Sequence, residues 1–358
     1  MSRILVAMSG GVDSSVAAAL LIQAGHDVVG ATLRTFCYSG EPGHAKSCCG
    51  LEGVADAKRV ARTLGIPHTV YDVEEEFTRD VIDDFVEEYA AGRTPNPCVR
   101  CNSFTKFRDL LRRGQELGAD GIATGHYVRL DPTAPSGPTL QRGADSDKDQ
   151  AYFLWGLPRD SLPFLHFPLG DLTKPVVRKL AREMGLITAD KPESQEICFV
   201  PTGDYRDLLR SRMETAHPAL QPGSIVTSDG AVVGTHSGYA GFTVGQRKGL
   251  PGGFPEAMFV TEIRPAKKEV VVGAAEELLS REVELGGLNW LVPTDQVGPA
   301  VEVQLRHRAQ PAPARIEIQG DSLLLRLTDP QRAVTPGQSG VLFDGARVLG
   351  GGRILRTW

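Results

Sequence analysis

The 358-residue chain lacks any apolar run near the roughly 20 residues that span a bilayer, and its first residues show no charged leader with a cleavage site. These absences predict a cytoplasmic protein with no membrane contact. An excess of positive charge is also missing, because 39 basic residues accompany 44 acidic ones and the net charge is -5. This balance argues against a generally basic nucleic-acid-binding surface, although a local patch is compatible with it.

Cysteine is sparse, and its positions do not form a repeated framework. In a cytoplasmic protein, six cysteines are more often reactive, metal-binding or buried than disulfide-bonded. Cys98 and Cys101 form a CxxC pair. A four-cysteine zinc site would normally need a second such pair, and the other cysteines, which include the adjacent Cys48 and Cys49 and the single Cys198, do not form one. A zinc site is therefore disfavoured.

The sequence has no Gly-Lys-Ser or Gly-Lys-Thr, which excludes a Walker loop, but a different glycine turn is present. Residues 9–14 read SGGVDS, between an apolar run at 4–7 and a helical pattern at 14–24. The first turn of a helix offers unpaired N–H groups and a positive dipole end, and glycines let an anion approach closely. Two glycines can also simply close a turn after a strand, but the flanking serines and the preceding strand favour nucleotide binding.

Strand-like runs alternate with helical patterns through the first part of the chain, which predicts βαβ units around a parallel sheet. The predicted strands are 4–7, 28–33, 69–72 and 121–123, and the predicted helices are 14–24, 51–64, 74–91, 104–117, 148–155, 174–184 and 203–213. A surface hairpin is predicted at 130–142. Ligands of such sheets bind at the carboxyl ends of the strands, where the glycine turn, Leu33 and residues 124–126 fall.

The character of the sequence changes after residue 222 to short β-like runs with turn residues, and a further all-β segment begins near residue 281. We therefore predict three domains. They are an α/β parallel-sheet domain with helical insertions at 1–204, a small β-rich central domain at 205–280 and a C-terminal β-barrel at 281–358. The last of these contains arginine but no lysine.

The CxxC pair lies in a proline-stiffened loop ahead of a predicted helix. Such a loop has little conformational freedom, and a helix N-terminus favours the thiolate, which suits a nucleophile or a soft-metal ligand. A CxxC alone is most often a redox pair or half of a zinc site. Cys198, between Ile197 and Phe199, would by itself more often be a buried core thiol.

Taken together, the order and spacing of these segments resemble the bacterial tRNA-specific 2-thiouridylases, which thiolate uridine 34 of certain anticodons. The glycine turn resembles the PP-loop of ATP pyrophosphatases, which transfer AMP to an acceptor oxygen. The resemblance extends over nearly the whole chain. The matching segments are residues 7–14, 94–102, 123–127, 148–154, 197–199, 243–250 and 330–338.

The resemblance implies an ATP site with magnesium, which Asp13 would hold beside the phosphates. The residues that would bind ATP are Ala7, Met8, Ser9, Gly10, Gly11, Val12, Asp13, Ser14, Leu33 and Gly125. It also implies that Cys101 is the nucleophile and that Cys198 carries a persulfide. Adenylation would turn the uracil O2 into a leaving group, the persulfide would attack C2 or pass sulfide to it, and a Cys101–Cys198 disulfide would form.

A further set of residues would contact the RNA. Those around the target base would be Asn96, Pro97 and Cys98, and those touching tRNA would be His126, Lys148, Asp149, Gln150, Arg306, His307 and Gln338. Each tRNA contact has a structural alternative, such as a hydrogen-bonded turn histidine, a solvated helix start or an exposed strand edge. The resemblance implies the tRNAs for lysine, glutamate and glutamine, with a cysteine desulfurase or a sulfur-relay protein as donor.

Cys98 departs from the family pattern, because much of the family has aspartate at this position. The change puts general-base catalysis there in doubt. It also gives three thiols, Cys98, Cys101 and Cys198, that could ligate three irons of a [4Fe-4S] cluster and leave the fourth iron open for sulfide. We favour the persulfide relay over the cluster. Cys37, Cys48 and Cys49 are expected in a loop near the ATP site, with no assigned chemistry.

Two other classes of function use some of the same features. PP-loop ligases and amidating synthetases adenylate small molecules, but they need neither a thiol pair nor C-terminal β domains. A metal-stabilised RNA-binding protein without catalysis would keep its RNA binding after Cys101→Ser. The distant cysteines and the β domains favour tRNA thiolation over both.

Overall fold

The computed structural model describes residues 1–35, 51–135, 137–193, 197–200, 203–254 and 256–358. Cys37, Cys48 and Cys49, expected near the ATP site, lie outside these residues. Within the described part of the chain, no helix is long and apolar enough to cross a membrane.

The first part of the chain folds around a parallel five-stranded sheet, which confirms the predicted fold class. Its elements in chain order are β1 (Arg3–Ala7), α1 (Val12–Gln23), β2 (Asp27–Arg34), α2 (Leu51–Leu64), β3 (His68–Asp72), α3 (Glu74–Phe77), α4 (Asp84–Ala90), α5 (Pro97–Arg100), α6 (Phe107–Glu116), β4 (Gly121–Ala123), β5 (Val128–Asp131), β6 (Thr139–Arg142), β7 (Leu165–His166), α7 (Lys174–Glu183) and α8 (Tyr205–Arg212). The strand order of this sheet is β3-β2-β1-β4-β7.

The central strand β1 is buried on both faces of this sheet. Ile4 and Val6 pack with α1, whereas Leu5 faces Phe107 and Leu110 of α6, and all three strand residues have no exposed surface. A strand covered by helices on both sides is apolar throughout, which explains its unbroken hydrophobic run. The turns after β1 and β4 and the end of β2 consequently meet at one edge of the sheet.

Two π-helical segments interrupt the predicted helices. One, Thr78–Asp83, joins α3 to α4, and the other, Cys101–Lys106, joins α5 to α6. The helix predicted at 104–117 therefore starts earlier, at Pro97. Proline suits a first helical turn, where its missing N–H costs nothing, and the Asn96 side chain accepts the Cys98 N–H at 3.2 Å.

The helix predicted at 148–155 is wrong, because only a short 3₁₀ turn forms at Ala151–Phe153. The Asp149 carboxylate accepts the N–H groups of Gly143 (3.0 Å) and Ala151 (3.1 Å), and the Gln150 side chain accepts the Tyr127 N–H (2.9 Å). These side chains bond to the neighbouring backbone, a competition that disfavours a regular helix.

The central β-rich part is a four-stranded sheet of order β10-β11-β8-β9. Its strands are β8 (Gly223–Thr227), β9 (Val232–His236), β10 (Phe259–Arg264) and β11 (Glu269–Gly273). Ile225 and Val260 of this sheet share a core with Phe85 of α4 and with Phe199, the residue after Cys198. The segment that carries Cys198 therefore packs between the first part and the central part.

The C-terminal part is an antiparallel barrel, closed by pairing of its first and last strands. Its strands are β12 (Leu279–Trp290), β13 (Ala300–Gln304), β14 (Ala312–Gln319), β15 (Ser322–Arg332), β16 (Ser339–Asp344) and β17 (Arg347–Thr357). The hairpin β5–β6 belongs to this sheet through the pairing of Gln141 with Arg347. Chain from the first part thus extends the C-terminal sheet.

Arg353 of the barrel bridges to α4, and we expect its removal to lower the thermal stability of the protein. Its guanidinium lies 2.9 Å from both carboxylate oxygens of Asp84 and 2.9 Å from Glu88, whose side chain is 6% exposed. Arg353→Met removes one of the cations that contact these two carboxylates. The free energy of unfolding should fall by about 2 kcal/mol, and the Tm should fall by several degrees. Calorimetry would measure the shift.

The control for this prediction is Arg356→Met. Arg356 also pairs with a carboxylate, that of Glu284 at 2.7 Å, but its side chain is 69% exposed. Exposed pairs contribute at most about 1 kcal/mol, so the Tm should scarcely change. Equal shifts in the two variants would contradict a bridging role for Arg353.

Candidate active site

The glycine turn after β1 is shaped by its own contacts. Gly10 has a φ of +75°, and a Cβ there would lie 2.1 Å from the carbonyl oxygen of Gly53, so glycine is required on both counts. The Ser14 hydroxyl accepts the Ser9 N–H and donates to the Gly11 carbonyl, both at 3.2 Å. The turn leads directly into α1, whose first N–H groups can bind an anion. We refer to residues 8–14, where the sequence predicts ATP binding, as the ATP loop.

Other predicted ATP-binding residues surround this loop. A Cβ on Gly125 would lie 2.7 Å from the backbone of Asp13, so the turn after β4 can approach the loop only through glycine. Leu33 is buried at the end of β2. Thr32, which sequence reasoning missed, donates to the Met8 carbonyl at 2.6 Å and fixes the start of the loop.

One cavity of about 350 Å³ joins the ATP loop to the cysteines. It is lined by Phe77 and by residues 7–9, 13–14, 31–33, 35, 97–98, 101, 106, 124–126, 150 and 197–199. Its volume falls in the range of about 300–1,000 Å³ typical of small-molecule sites. The two ends of the glycine turn (residues 7–9 and 13–14), the CxxC pair and Cys198 therefore line one cavity, although they are far apart in sequence, whereas Gly10, Gly11 and Val12 do not line it.

The three cysteines occupy different positions around this cavity. Cys98 is exposed in α5, Cys101 opens the π segment, and both Cys101 and Cys198 are partly buried. Among the residues that the structure describes, no three His, Cys, Asp or Glu side chains are grouped as a metal site. Cys98, Cys101 and Cys198 nevertheless all line the one cavity.

Lys106 is a cavity residue that sequence reasoning missed, and the π segment explains why. Cys101 and Lys106 are its first and last residues, and both line the cavity. Because π-helical hydrogen bonds join residues five apart, such residues lie nearly above one another. In a regular α-helix of about 3.6 residues per turn they would point in different directions. Lys106 therefore adds a positive charge to the wall that carries Cys101.

A charge network centred on the buried Lys174 lies beside the ATP loop, and its other three side chains are partly exposed. The Lys174 ammonium is 2.8 Å from both oxygens of Asp13 and 2.7 Å from one oxygen of Glu193, while Lys148 is 2.7 Å from the other oxygen of Glu193. The Tyr127 hydroxyl donates to Asp13 at 2.7 Å, and burial and the Asp13 charge raise the pKa of Tyr127. The network links the loop to the segment preceding Cys198.

Two pKa shifts fix charge states near the cavity. Burial tends to raise the pKa of Glu193, but hydrogen bonds from Lys148 and Lys174 outweigh it and lower that pKa to about 2. Burial, with a smaller effect of the Lys106 charge, lowers the pKa of His126 to about 3. At neutral pH Glu193 is therefore charged and His126 is neutral.

The predicted tRNA residues have protein partners. Lys148 pairs with Glu193, Asp149 accepts from Arg142 at 2.8 Å, and Gln150 and His126 line the cavity. In the barrel, Arg306 is exposed, whereas the His307 ring lies 4.5 Å from that of Phe153. Arg306 and His307 do not line the cavity. They lie where the 3₁₀ turn at Ala151–Phe153 meets the barrel.

Gln338 belongs to a junction of all three parts of the chain. Its side chain donates to the Thr94 carbonyl at 2.8 Å, and the Thr94 N–H donates to the Pro336 carbonyl at 2.8 Å. The Thr94 hydroxyl lies 3.4 Å from that of Thr243 in the central part. The loop leading to Cys98 is thus held by residues from both β-rich parts. Sequence patterns cannot reveal such long-range bonds.

Known family models and relatives match the chain over nearly its whole length. Family models match as a tRNA methyl transferase HUP domain at residues 2–202, a tRNA methyl transferase PRC-barrel domain at 214–274 and an aminomethyltransferase beta-barrel domain at 280–354. The tRNA-specific 2-thiouridylase MnmA of Koribacter versatilis is 48% identical, with 98% of each chain covered. That of Parvibaculum lavamentivorans is 46% identical, over 99% of this chain and 91% of the relative.

A solved structure, a 4-thiouridine synthetase–RNA complex with bound ATP, is also similar in part. It covers 55% of this chain and 45% of that chain, with 20% identity and a TM-score of 0.35.

Proposed function

Because the chain belongs to the tRNA-specific 2-thiouridylase family, we propose that it uses ATP to replace O2 of uridine 34 in tRNA with sulfur. It is a PP-loop sulfurtransferase. The observation that carries the detailed proposal is the shared cavity, into which the ATP loop, Cys98, Cys101 and Cys198 all open. One cavity can thus serve both nucleotide chemistry and thiol chemistry, a combination that an amidating synthetase does not need.

Adenylation is the first step of the proposed reaction. The uracil O2 attacks the α-phosphorus of ATP, and the bond to the β-phosphate breaks to release pyrophosphate. The N–H groups at the start of α1 and the ammonium of Lys106 stabilise the negative charge that develops. The uracil oxygen then belongs to an AMP ester, which is a far better leaving group than the original carbonyl oxygen.

Sulfur transfer is the second step. The terminal sulfur of a Cys198 persulfide attacks C2, and the C2–O bond breaks to release AMP. The Cys101 thiolate then attacks the Cys198 sulfur, which breaks the persulfide S–S bond, leaves the sulfur on C2 and forms a Cys101–Cys198 disulfide. An external thiol reduces this disulfide, and a cysteine desulfurase or a sulfur-relay protein restores the persulfide.

The family's use of ATP implies magnesium, which would offset charge on the leaving pyrophosphate. Asp13 supplies the carboxylate oxygens that magnesium prefers and lines the cavity, so it would hold the ion, sharing its oxygens with Lys174. We favour the persulfide relay over a [4Fe-4S] cluster, because the relay needs only the thiols of Cys101 and Cys198, which both line the cavity. No step of the proposed mechanism uses a cluster.

The RNA is expected to contact several parts of the chain. We propose that Asn96, Pro97 and Cys98 surround the uracil, while Arg306 and His307 contact the tRNA from the barrel. The expected substrates are the tRNAs for lysine, glutamate and glutamine. The domain limits 1–204, 205–280 and 281–358 remain part of this proposal.

Thiolation of unmodified tRNA transcripts tests the proposed function. The purified protein, ATP, magnesium and a persulfide donor should produce one 2-thiouridine per tRNA, and mass spectrometry of nuclease fragments should find it at position 34. A transcript with cytidine at that position is the control and should stay unmodified. Formation of AMP with ammonia and a small acceptor, in the absence of tRNA, would contradict the proposal and favour a ligase.

A further inference from the structure

Glu193 lies between the residues proposed for adenylation and those proposed for sulfur transfer, and two lysines contact it. Its carboxylate accepts from two lysines, each at 2.7 Å, and one of them, Lys174, also holds both oxygens of Asp13. The Lys174 side chain is only 9% exposed. A buried ammonium is costly unless it is paired, so Lys174 restrains the two carboxylates from moving independently.

The two carboxylates belong to the two functional segments. Asp13 lies in the first turn of α1, at the end of the ATP loop. Glu193 lies five positions before Cys198, and residues 197–199 line the same cavity as Asp13. Lys174 opens helix α7, and its N–H donates to Asp145 at 2.8 Å, so the ammonium extends from a fixed backbone position.

Stability alone is a poor explanation for this arrangement. Replacing buried ion pairs with apolar side chains is often neutral or stabilising, whereas removing one partner is damaging. A network of two lysines and two carboxylates is therefore better explained by the geometry it imposes. That geometry sets the distance between Asp13 in the ATP loop and Glu193, which precedes Cys198 by five positions.

We propose that Glu193 and Lys174 are positioning residues that hold the chain leading to Cys198 beside the ATP loop, so that sulfur reaches C2 before water hydrolyses the adenylated uridine back to uridine and AMP. This inference rests on the proposed function. Glu193 acts on the second step alone, because Lys174 keeps both oxygens of Asp13 when Glu193 is neutralised. Lys174 acts on both steps, because it contacts both carboxylates.

Glu193→Gln tests the inference by separating the two steps. Pyrophosphate release with tRNA should stay within about twofold of the wild-type rate, while 2-thiouridine formation should slow by at least about tenfold, since small misplacements of reacting groups have effects of this size or larger. The ratio of 2-thiouridine to AMP should fall accordingly. Glu193→Asp keeps the charge and should recover most of the sulfur transfer.

The matched control is Glu284→Gln in the barrel. The Glu284 carboxylate also accepts from a cation, Arg356, at 2.7 Å, but Glu284 does not line the cavity. The ratio of 2-thiouridine to AMP in this variant should therefore equal that of the wild type. Partial unfolding would lower both products together and leave the ratio unchanged. A parallel fall of both products in Glu193→Gln, or no fall in either, would overturn the inference. Failure of the wild type to make 2-thiouridine would instead overturn the proposed function, and the inference with it.

Discussion

Replacing Cys198 with serine is expected to abolish 2-thiouridine formation, by more than about 10³-fold, the scale on which loss of a nucleophile slows enzymes. Serine nearly matches the size of cysteine, so the cavity should keep its shape, but a hydroxyl cannot carry a persulfide. Adenylation does not require this thiol, and pyrophosphate release with tRNA should continue. Thiolated and unthiolated tRNA can be separated on mercury-containing gels.

The other two cysteines provide the contrast. Cys101→Ser should allow Cys198 to accept sulfur but prevent its release to the product through the disulfide, so turnover should stop. Cys98→Ala should remain active in the persulfide relay, since Cys98 is exposed and has no step in it. Full activity of both the Cys101 and the Cys198 variants would contradict the relay. Loss of activity in Cys98→Ala together with loss of bound iron would favour a cluster.

Gly10→Ala should reduce kcat/KM for ATP by more than about 10²-fold, because small displacements of a binding loop have effects of this size. The new Cβ would lie 2.1 Å from the Gly53 carbonyl oxygen, and alanine disfavours a φ of +75°. The backbone must shift, and the N–H groups that bind the phosphates would shift with it. Pyrophosphate release at varied ATP concentration measures the change.

Gly25→Ala is the matched control for the loop variant. Gly25 has a similar φ of +84°, but a Cβ there would have no atom within 4 Å. The Gly25→Ala substitution should lower the free energy of unfolding by about 1 kcal/mol through backbone strain and leave kcat/KM for ATP unchanged. Equal kinetic losses in both variants would show that strain, and not the fit of the loop, explains the effect.

Local patterns were sufficient to predict the parallel sheet and the glycine turn between β1 and α1. An unbroken apolar run, a glycine turn and a helical pattern follow one another at residues 4–24, and each is determined by its own neighbours in sequence. The family resemblance, and not any local pattern, implied that Cys101 and Cys198 act together, and both line one cavity with residues of the loop. In these regions the local preferences and the final packing agree.

The features of the fold and the site that the sequence did not predict depend on contacts between distant residues or on irregular backbone. Lys174 and Asp13 are 161 positions apart, and Gln338 and Thr94 are 244 apart, so nothing local indicates either bond. Lys106 was missed because a regular helix was assumed where a π segment forms. The helix predicted at 148–155 does not form, because the Asp149 and Gln150 side chains accept hydrogen bonds from the backbone N–H groups of Ala151 and Tyr127.

An oxygen-labelling experiment tests the central claim, that ATP activates the uracil O2 for replacement by sulfur. A tRNA whose uridine 34 carries ¹⁸O at position 2 would be thiolated with unlabelled ATP, and the released AMP would be analysed by mass spectrometry. Adenylation of O2 predicts that each AMP formed with a 2-thiouridine contains the ¹⁸O atom. Unlabelled AMP accompanying full thiolation would contradict it.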